Sequence, residues 1–401
     1  MSTKNPIILA FSGGLDTSFC VPWLKENYKR PVVTVTVNTG GLNQRNSEIL
    51  AGRALELGAV DHAFVDAKQE FFDRVLKFLL MGNVRRGHLY PLCVGAERGI
   101  QADKLAETAK RFGSDTVAHG CTAAGNDQVR FEIILKTLAP DLKVLAPVRD
   151  HSWARTDQLQ YLKKLKLPVP QSGSAYSINR GLWGTTIGGT ETLDSLNTIP
   201  EEAWLLSSGA FSDAEKPKEI SISFESGVPV SVDENSMDPV TLIEHLETTG
   251  ARYGIGRGIH LGDTILGTKG RVAFEAPAAE ILLGAHRELE KLTLTSHQIR
   301  TKDQAAQAYG ELVHEGKQLD PACRDIEALL ISSQARVTGN VRCELRPGSL
   351  FIVGVESKYS LMAASQGKYG ESAGEWSPED ALGFSRVLAL PGIFHTRAGK
   401  G

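Results

Sequence analysis

Short apolar segments alternate with longer amphipathic segments through the amino-terminal part of the chain. The apolar segments are rich in Val and Ile and are apolar on both faces, which is typical of parallel strands covered by helices on both sides. They predict strands over Ile7–Phe11, Val32–Asn38, Ala63–Val65, Thr116–His119 and Val144–Ala146. The segments between and after them have helical spacing and predict helices over Thr17–Asn27, Ser47–Leu57, Phe71–Leu80, Gly99–Phe112, Gln128–Leu138 and Thr156–Leu165. This order predicts an α/β domain over residues 1–166, a doubly wound parallel sheet with its ligand crevice at the carboxyl ends of the strands.

The pattern changes after Leu167–Ser174, a stretch of prolines and small polar residues that predicts a linker. Polar and apolar residues then alternate on both sides of a Glu-Ser-Gly turn at residues 225–227, which predicts an antiparallel hairpin. Residues 175–370 are therefore expected to form a second, α+β domain. Its other predicted elements are a hairpin joining Val337–Leu345 to Leu350–Val355 and the helices Pro239–Thr249 and Ala278–Leu292.

The carboxy-terminal segment, residues 371–401, predicts one further helix. Ser377 is a good cap, Pro378 suits the first helical turn, and Glu379 and Asp380 are early acids, so the helix is expected over Ala381–Leu390. Such a helix has little to pack against within its own chain. It is expected to dock on a partner subunit.

The composition argues against several classes of binding partner. The formal net charge of the 401 residues is −3, which provides no positive field for a nucleic acid. No apolar stretch approaches the roughly 18 residues of a membrane span, and the amino terminus lacks the features of a signal peptide. The five cysteines are scattered without a CxxC pair, and the histidines lack metal-binding spacing. A cytoplasmic protein without a dedicated metal cage, nucleic-acid partner or membrane segment is expected.

A glycine-rich loop, Ser12–Ser18 (SGGLDTS), lies between the first predicted strand and helix. Its glycines let the backbone approach an anion, and the helix that follows presents its positive end there. Ser12, Thr17 and Ser18 offer hydroxyl donors, while Asp16 fits phosphates that arrive with a divalent cation. A simple glycine turn with a helix cap is the alternative, but the position between strand and helix favours a phosphate site.

A second polar loop follows the fourth predicted strand, at Gly120–Phe131 (GCTAAGNDQVRF). Thr122, Asn126 and Asp127 provide a hydroxyl, an amide and a carboxylate, enough to hold a zwitterionic amino acid by both ends. Arg130 follows Asn126 by one helical turn and can fork onto a carboxylate of the same ligand. The alternative is an ordinary capped helix start with a solvent-facing arginine. The nearby phosphate loop favours ligand binding.

The first loop lacks the lysine of GxxxxGK[ST] loops and resembles the pyrophosphate loop of the ATP pyrophosphatase superfamily. Within that superfamily, AFSGGLDTS at residues 10–18 and the second polar loop resemble the two signatures of the argininosuccinate synthase family. The family pattern of the second is GxTxKGNDxxRF, and only Ala124 departs from it. The resemblance continues in order through residues 146–149, 176–179, 267–269 and 274–277. It implies a homotetrameric ligase that joins citrulline and aspartate with ATP and Mg²⁺ through citrullyl-AMP, giving argininosuccinate, AMP and pyrophosphate.

The resemblance also implies roles for individual residues. Asp16, Asp127 and Arg130 are expected to contribute most to catalysis. Aspartate is expected to bind Thr122, Asn126 and Asp127. The implied citrulline contacts are Tyr90, Asn126, Arg130, Ser177 and Thr186. The implied ATP contacts are Ala10, Phe11, Ser12, Gly13, Gly14, Leu15, Asp16, Thr17, Ser18, Val37 and Gly120.

Departures from the family pattern cluster around citrulline. Two glutamates that the family uses near the α-amino group fall at Gly188 and Gly262, and a tyrosine falls at Phe274. Glu191 and Asp263 lie close in sequence and are candidates to replace the carboxylates. Two substrates remain possible at this point. One is free citrulline whose α-amino group binds a replacement carboxylate, and the other is an α-N-acylated citrulline. A non-catalytic ATP-binding protein and a sulfur- or ammonia-transfer ligase are alternatives, although the chain lacks paired reactive cysteines and a glutaminase.

Overall fold

The computed structural model describes residues 5–170 and 176–400. Its first sheet is parallel, with strand order β3-β2-β1-β4-β5. The strands are β1 (Ile7–Ala10), β2 (Val32–Asn38), β3 (Asp61–Asp66), β4 (Thr116–Ala118) and β5 (Lys143–Leu145). This confirms the predicted doubly wound sheet. The order reverses between β1 and β4, which is where such sheets bind ligands.

Helices cover both faces of this sheet. Ile7 and Leu9 pack into one apolar cluster and Ile8 into another, because successive side chains of a strand point to opposite faces. A π-helical turn, Phe72–Leu76, joins α3 to α4, so the predicted helix over Phe71–Leu80 contains a local widening. The helices are α1 (Leu15–Tyr28), α2 (Gln44–Glu56), α3 (Lys68–Phe71), α4 (Lys77–Met81), α5 (Arg98–Arg111), α6 (Asp127–Leu138), α7 (Pro147–Asp150) and α8 (Arg155–Lys164), with a 3₁₀ turn at Gly95–Glu97.

Two antiparallel sheets make up much of the rest. The strands are β6 (Ser177–Gly181), β7 (Gly184–Gly188), β8 (Lys218–Glu225), β9 (Val228–Val232), β10 (Asn235–Ser236), β11 (Arg257–Asp263), β12 (Lys269–Glu275), β13 (Gly339–Arg346) and β14 (Ser349–Glu356). Both predicted hairpins are confirmed, as β8–β9 and β13–β14, and pairing of β8 with β13 joins them into the sheet β10-β9-β8-β13-β14. The other sheet, β11-β12-β7-β6, was not predicted. Its strands are short or interrupted by glycine, so their own sequences carry weak alternation.

The predicted helices of this part are confirmed as α9 and α10, which pack on each other. Two further helices, α11 (Ser296–His314) and α12 (Pro321–Gln334), were not predicted. The largest apolar cluster runs from α4 through α10 to β8 and β13, so one core spans both parts of the chain. The helices are α9 (Pro239–Ala251), α10 (Pro277–Thr293), α11 (Ser296–His314), α12 (Pro321–Gln334), α13 (Leu361–Ala364), α14 (Pro378–Leu388) and α15 (Leu390–Ala398), with 3₁₀ turns at Thr190–Leu193 and Glu201–Ala203.

The carboxy-terminal helix begins as predicted, with a capping box between Ser377 and Asp380. It ends at Leu388 and is followed by α15. Phe384 and Val387 are 68% and 66% exposed, and no residue of α14 or α15 is buried. The predicted linker Leu167–Ser174 falls outside the described residues from position 171 onward. Within the described ranges, none of the helices has the length and apolar character needed to cross a membrane.

Candidate functional site

The carboxyl ends of β1 and β4 open into a cavity of about 790 Å³. The phosphate loop and the second polar loop form one wall. Residues of strands β6, β7, β11 and β12 and the last residue of α11, His314, also line the cavity. The two signature loops therefore face one continuous space, as expected from their positions at the ends of neighbouring strands.

The phosphate loop is a tight turn that leads directly into α1. Gly13 has a φ of +73°, and a Cβ there would lie 2.4 Å from Leu50 Cδ2, so the position requires glycine. The Ser12 amide donates to Thr17 Oγ1 at 3.3 Å, and the Gly14 amide donates to Ser12 Oγ at 3.4 Å. These bonds are long, so the hydroxyls can turn to an incoming anion at little cost.

Most of the residues expected at the ATP site line the cavity, but three do not. Leu15 packs in the apolar core, Gly13 does not reach the cavity surface, and Ser18 is fully buried. α1 already begins at Leu15 and places Ser18 on its buried side, where its hydroxyl has no described partner, so its role as a phosphate donor stays a prediction. The expected ATP residues that do line the cavity are Ala10, Phe11, Ser12, Gly14, Asp16, Thr17, Val37 and Gly120.

Asp16 has the environment of a carboxylate that binds a cation together with phosphates. It lines the cavity, and within residues 5–170 and 176–400 it forms no ion pair or hydrogen bond through its carboxylate. Free carboxylate and hydroxyl oxygens beside a phosphate site are ligands that Mg²⁺ accepts. The described residues contain no group of three or more His, Cys, Asp or Glu side chains arranged to hold a metal alone. The residues present thus fit Mg²⁺ that arrives with ATP.

Gly120 brings the two loops into contact. A Cβ at this position would lie 3.0 Å from Thr17 Cγ2 and 3.1 Å from the carbonyl carbon of Asp16. In the second loop, Asn126 Oδ1 accepts a hydrogen bond of 2.9 Å from the Ile265 amide, which ties the loop to the turn between β11 and β12. Thr122 and Asn126 line the cavity as predicted.

Asp127 is held between two arginines. Its Oδ1 accepts from Arg130 Nη1 at 2.7 Å, and its Oδ2 accepts from Arg98 Nε at 3.0 Å. Burial raises the pKa of Asp127, but the two guanidinium groups outweigh it and lower the pKa to about 2. The carboxylate is therefore ionised at every physiological pH and fixed in position.

Arg130 forms more hydrogen bonds within the protein than its position in the sequence indicated. Its side chain is buried, and besides Asp127 it donates from Nε to the His314 carbonyl at 2.7 Å. Its Nη2 lies 3.2 Å from His314 Nδ1. All three guanidinium nitrogens thus have protein partners, so Arg130 positions Asp127 and the end of α11. Its contact with a substrate carboxylate stays a prediction.

Glu97 and Arg98 are cavity residues that sequence reasoning missed. Glu97 Oε1 accepts from Arg98 Nη1 at 2.6 Å, and Oε2 accepts from Thr39 Oγ1 at 2.8 Å. Arg98 thereby links Glu97 to Asp127. No sequence signal marks this pair, because it lies at the start of α5 outside both signature loops. Burial raises the pKa of Glu97 to about 7, although Arg98 and Thr39 oppose the shift.

This raised pKa predicts a pH-dependent stability. A carboxyl group whose folded pKa exceeds its ordinary value of 4.5 stabilises the fold fully below that value, and the contribution is lost as the pH rises to about 7. The Tm of the wild-type protein should therefore fall relative to that of E97Q as the pH rises through this window. Calorimetric scans of both proteins across the window measure the difference, and parallel Tm curves would contradict the raised pKa.

The expected citrulline residues Tyr90, Ser177 and Thr186 also line the cavity. The ring of Tyr90 stacks on His260 at a centroid distance of 5.6 Å and meets Phe274 edge-on at 5.2 Å. Of these residues, Tyr90 lies near enough to Arg130 for the guanidinium to influence its phenol, and contact of Tyr90, Ser177 and Thr186 with citrulline stays a prediction.

The two candidate replacement carboxylates are engaged elsewhere. Glu191 does not line the cavity, and its carboxylate interacts with Tyr176. Asp263 lines the cavity but pairs with Lys269 at 2.6 Å. Gly262 lines the cavity, whereas Gly188 does not.

Comparisons with known proteins agree with this geometry. Residues 6–168 match the family model described as the arginosuccinate synthase N-terminal HUP domain, and residues 176–394 match the C-terminal domain model. The argininosuccinate synthase of Symbiobacterium thermophilum is 38% identical over 97% of this chain and 96% of its own. That of Pyrobaculum aerophilum is 38% identical over 99% of both chains. That of Methanothermobacter thermautotrophicus is 40% identical over 89% of this chain and 88% of its own. With both domain models matched in order and such relatives aligned over nearly their full length, the chain belongs to the argininosuccinate synthase family.

Proposed function

We propose that this protein joins citrulline to aspartate at the expense of ATP, forming argininosuccinate, AMP and pyrophosphate. The observation that carries the proposal is one cavity in which the phosphate loop faces the Thr122–Arg130 loop, in a chain that belongs to this family. A phosphate loop alone would serve any nucleotide-binding protein. The second loop supplies the groups needed to hold an amino acid beside it.

In the first step, the ureido oxygen of citrulline attacks the α-phosphorus of ATP, and pyrophosphate leaves. The loop amides and the hydroxyls of Ser12 and Thr17 hold the phosphates, and the amino end of α1 adds a favourable dipole. Asp16 would hold Mg²⁺, and the cation would supply positive charge to offset the negative charge that develops on the leaving pyrophosphate. The product of this step is citrullyl-AMP.

In the second step, the bound aspartate ammonium loses a proton to solvent, the resulting amine forms a bond to the activated ureido carbon, and the bond from that carbon to the AMP oxygen breaks, so that AMP leaves. Asp127 is the ionised group that attracts the aspartate ammonium, while Thr122 and Asn126 bind its polar atoms. Tyr90, Ser177 and Thr186 enclose citrulline, and Arg130 keeps Asp127 in place. Most of the rate enhancement comes from holding the two amino acids in line with the phosphate.

The other reaction classes have less support. A sulfur-transfer ligase needs a reactive thiolate, but burial raises the pKa of Cys121, the cysteine that lines the cavity, to about 12. The other four cysteines are buried. A non-catalytic ATP-binding protein would not need the Arg98–Asp127–Arg130 arrangement. The relatives are named for argininosuccinate, the product from free citrulline, which does not favour an acylated substrate.

The activity is tested by measuring AMP and pyrophosphate with ATP, Mg²⁺, citrulline and aspartate, each omitted in turn. We expect stoichiometric AMP and argininosuccinate with the complete mixture and neither product without aspartate. AMP that forms equally well without citrulline would refute the proposed ureido substrate.

We further propose an ATP-binding domain at residues 1–166, a synthetase and multimerisation domain at 175–370, and an oligomerisation helix with its tail at 371–401. The exposed apolar side chains of α14 and α15 support a homotetramer in which this segment packs against a partner subunit. A biosynthetic ligase with unpaired cysteines is best placed in the cytoplasm.

Deleting the residues after Trp376 is therefore expected to reduce the oligomer to smaller species. The segment contributes no buried residue to its own chain, so the remaining protein should still fold. Sedimentation velocity measures the change, with the full chain as the reference. A monomer both before and after deletion would dismiss the arm.

A further inference from the structure

One end of the cavity carries a buried N–H donor that has no partner. His314 lines the cavity and is 7% exposed. Its Nδ1 lies 3.2 Å from Arg130 Nη2, and because a guanidinium only donates, Nδ1 is the acceptor. Burial, together with Arg130, Arg86 and His260, lowers the pKa of His314 to about 3, so the ring is neutral. Its proton is therefore on Nε2, which is buried and bonds to no described residue.

His260 stands in the same wall, and two glycines make room for it. A Cβ at Gly262 would lie 2.6 Å from His260 Nε2, and a Cβ at Gly87 would lie 3.0 Å from its Cε1. The His260 ring stacks on the ring of Tyr90. The imidazole thus occupies space that a side chain at position 262 would need. Its Nε2 is also buried without a described partner.

Arg86 completes the group. It lines the cavity and donates to the Asp263 carbonyl at 2.7 Å, but no carboxylate of the described residues pairs with it. Neither nearby carboxylate pairs with Arg86, since Asp127 binds Arg98 and Arg130, and Asp263 binds Lys269. This part of the cavity lining therefore presents a cation and two imidazole rings, and none of the described carboxylates forms an ion pair with the cation.

We propose that Arg86, His260 and His314 form an anion subsite that binds the α-carboxylate of the ureido substrate. The proposal rests on the proposed function and extends it by assigning the group that fixes one end of citrulline. A carboxylate satisfies the buried donor on His314 and neutralises Arg86, whereas an ammonium would leave the His314 donor unpaired and would be repelled by the charge of Arg86. The phosphates of ATP have a separate proposed site at the phosphate loop, beside Asp16.

The proposed subsite predicts a preference for citrulline over its α-carboxamide, and this preference should depend on His314. Wild type should bind and use citrulline at least about 10-fold better than its α-carboxamide, because one charge-assisted hydrogen bond is at stake. H314F should lose about 10- to 100-fold in kcat/KM for citrulline but less than about 3-fold for the carboxamide. H314Q, which keeps a donor, should recover part of the preference. The KM values for ATP and aspartate should change little.

A matched control lies on the same helix. His297 Nδ1 is 3.0 Å from Arg300 Nη2, a similar imidazole–guanidinium contact, but it is exposed and outside the cavity. H297F should leave the citrulline-to-carboxamide ratio unchanged. Thermal melting of each variant checks that it is folded. Calorimetric titration with both ligands gives the same ratio without requiring turnover.

The possible results distinguish a failure of the anion subsite from a failure of the proposed function. If wild type makes no AMP with citrulline and aspartate, the proposed function fails, and calorimetry still decides the subsite. If wild type is active but uses the carboxamide as well as citrulline, the subsite is refuted alone. Equal losses on both ligands in H314F, or a loss confined to the KM for aspartate, would also overturn it.

Discussion

Replacing Asp16 with alanine is expected to lower AMP and pyrophosphate formation by about 10³-fold, with the fold intact. The side chain lines the cavity beside the phosphate loop and engages no described residue, so its removal breaks no structural contact. What is lost is the carboxylate that we propose holds Mg²⁺ against the leaving pyrophosphate. D16N preserves the shape without the charge and should be almost as inactive.

The measurement is AMP release over a range of Mg²⁺ concentrations, with circular dichroism as a check on folding. D141A is a suitable control, because Asp141 is an exposed carboxylate remote from the cavity. Turnover by D16A close to that of wild type would remove the metal–phosphate role from Asp16.

Replacing Asp127 with alanine is expected to harm the aspartate-dependent step by about 10²- to 10³-fold while adenylation falls less than about 10-fold. The carboxylate has a pKa near 2 and is the fixed negative charge of the second loop. An incoming ammonium loses that partner in the variant. The substitution also leaves Arg98 and Arg130 without their shared carboxylate, so a lower Tm is expected as well.

The two steps can be measured separately. Positional ¹⁸O exchange in ATP with citrulline alone reports adenylation, and argininosuccinate formation reports the complete reaction. D127N separates charge from shape, and E132A on the same helix controls for loss of a carboxylate that pairs with Arg149 at 2.9 Å outside the cavity. Loss of exchange as complete as the loss of product would contradict this division of roles.

The sequence alone determined the parallel sheet, the phosphate loop and the position of the second polar loop. These features follow from local patterns. A strand buried on both faces must be apolar throughout. Gly13 is needed because its φ is positive and Leu50 leaves no space for a side chain. The two hairpins and the start of α14 were predictable for the same reason, since turns and caps depend on a few adjacent residues.

The tertiary structure decided the remainder. Strands β6, β7, β11 and β12 acquire their conformation from pairing with one another, which short glycine-containing segments do not encode on their own. The beginning of α1 at Leu15 buried Ser18, against expectation.

Contacts between distant segments also decided how the cavity is lined. Arg130 and His314 are 184 positions apart in the chain, yet their contact commits the guanidinium and leaves the imidazole Nε2 as an unpartnered donor. Local sequence specifies which backbone conformations are accessible and which side chains are available. Only packing between remote segments determines which buried charges find partners and which remain for a substrate.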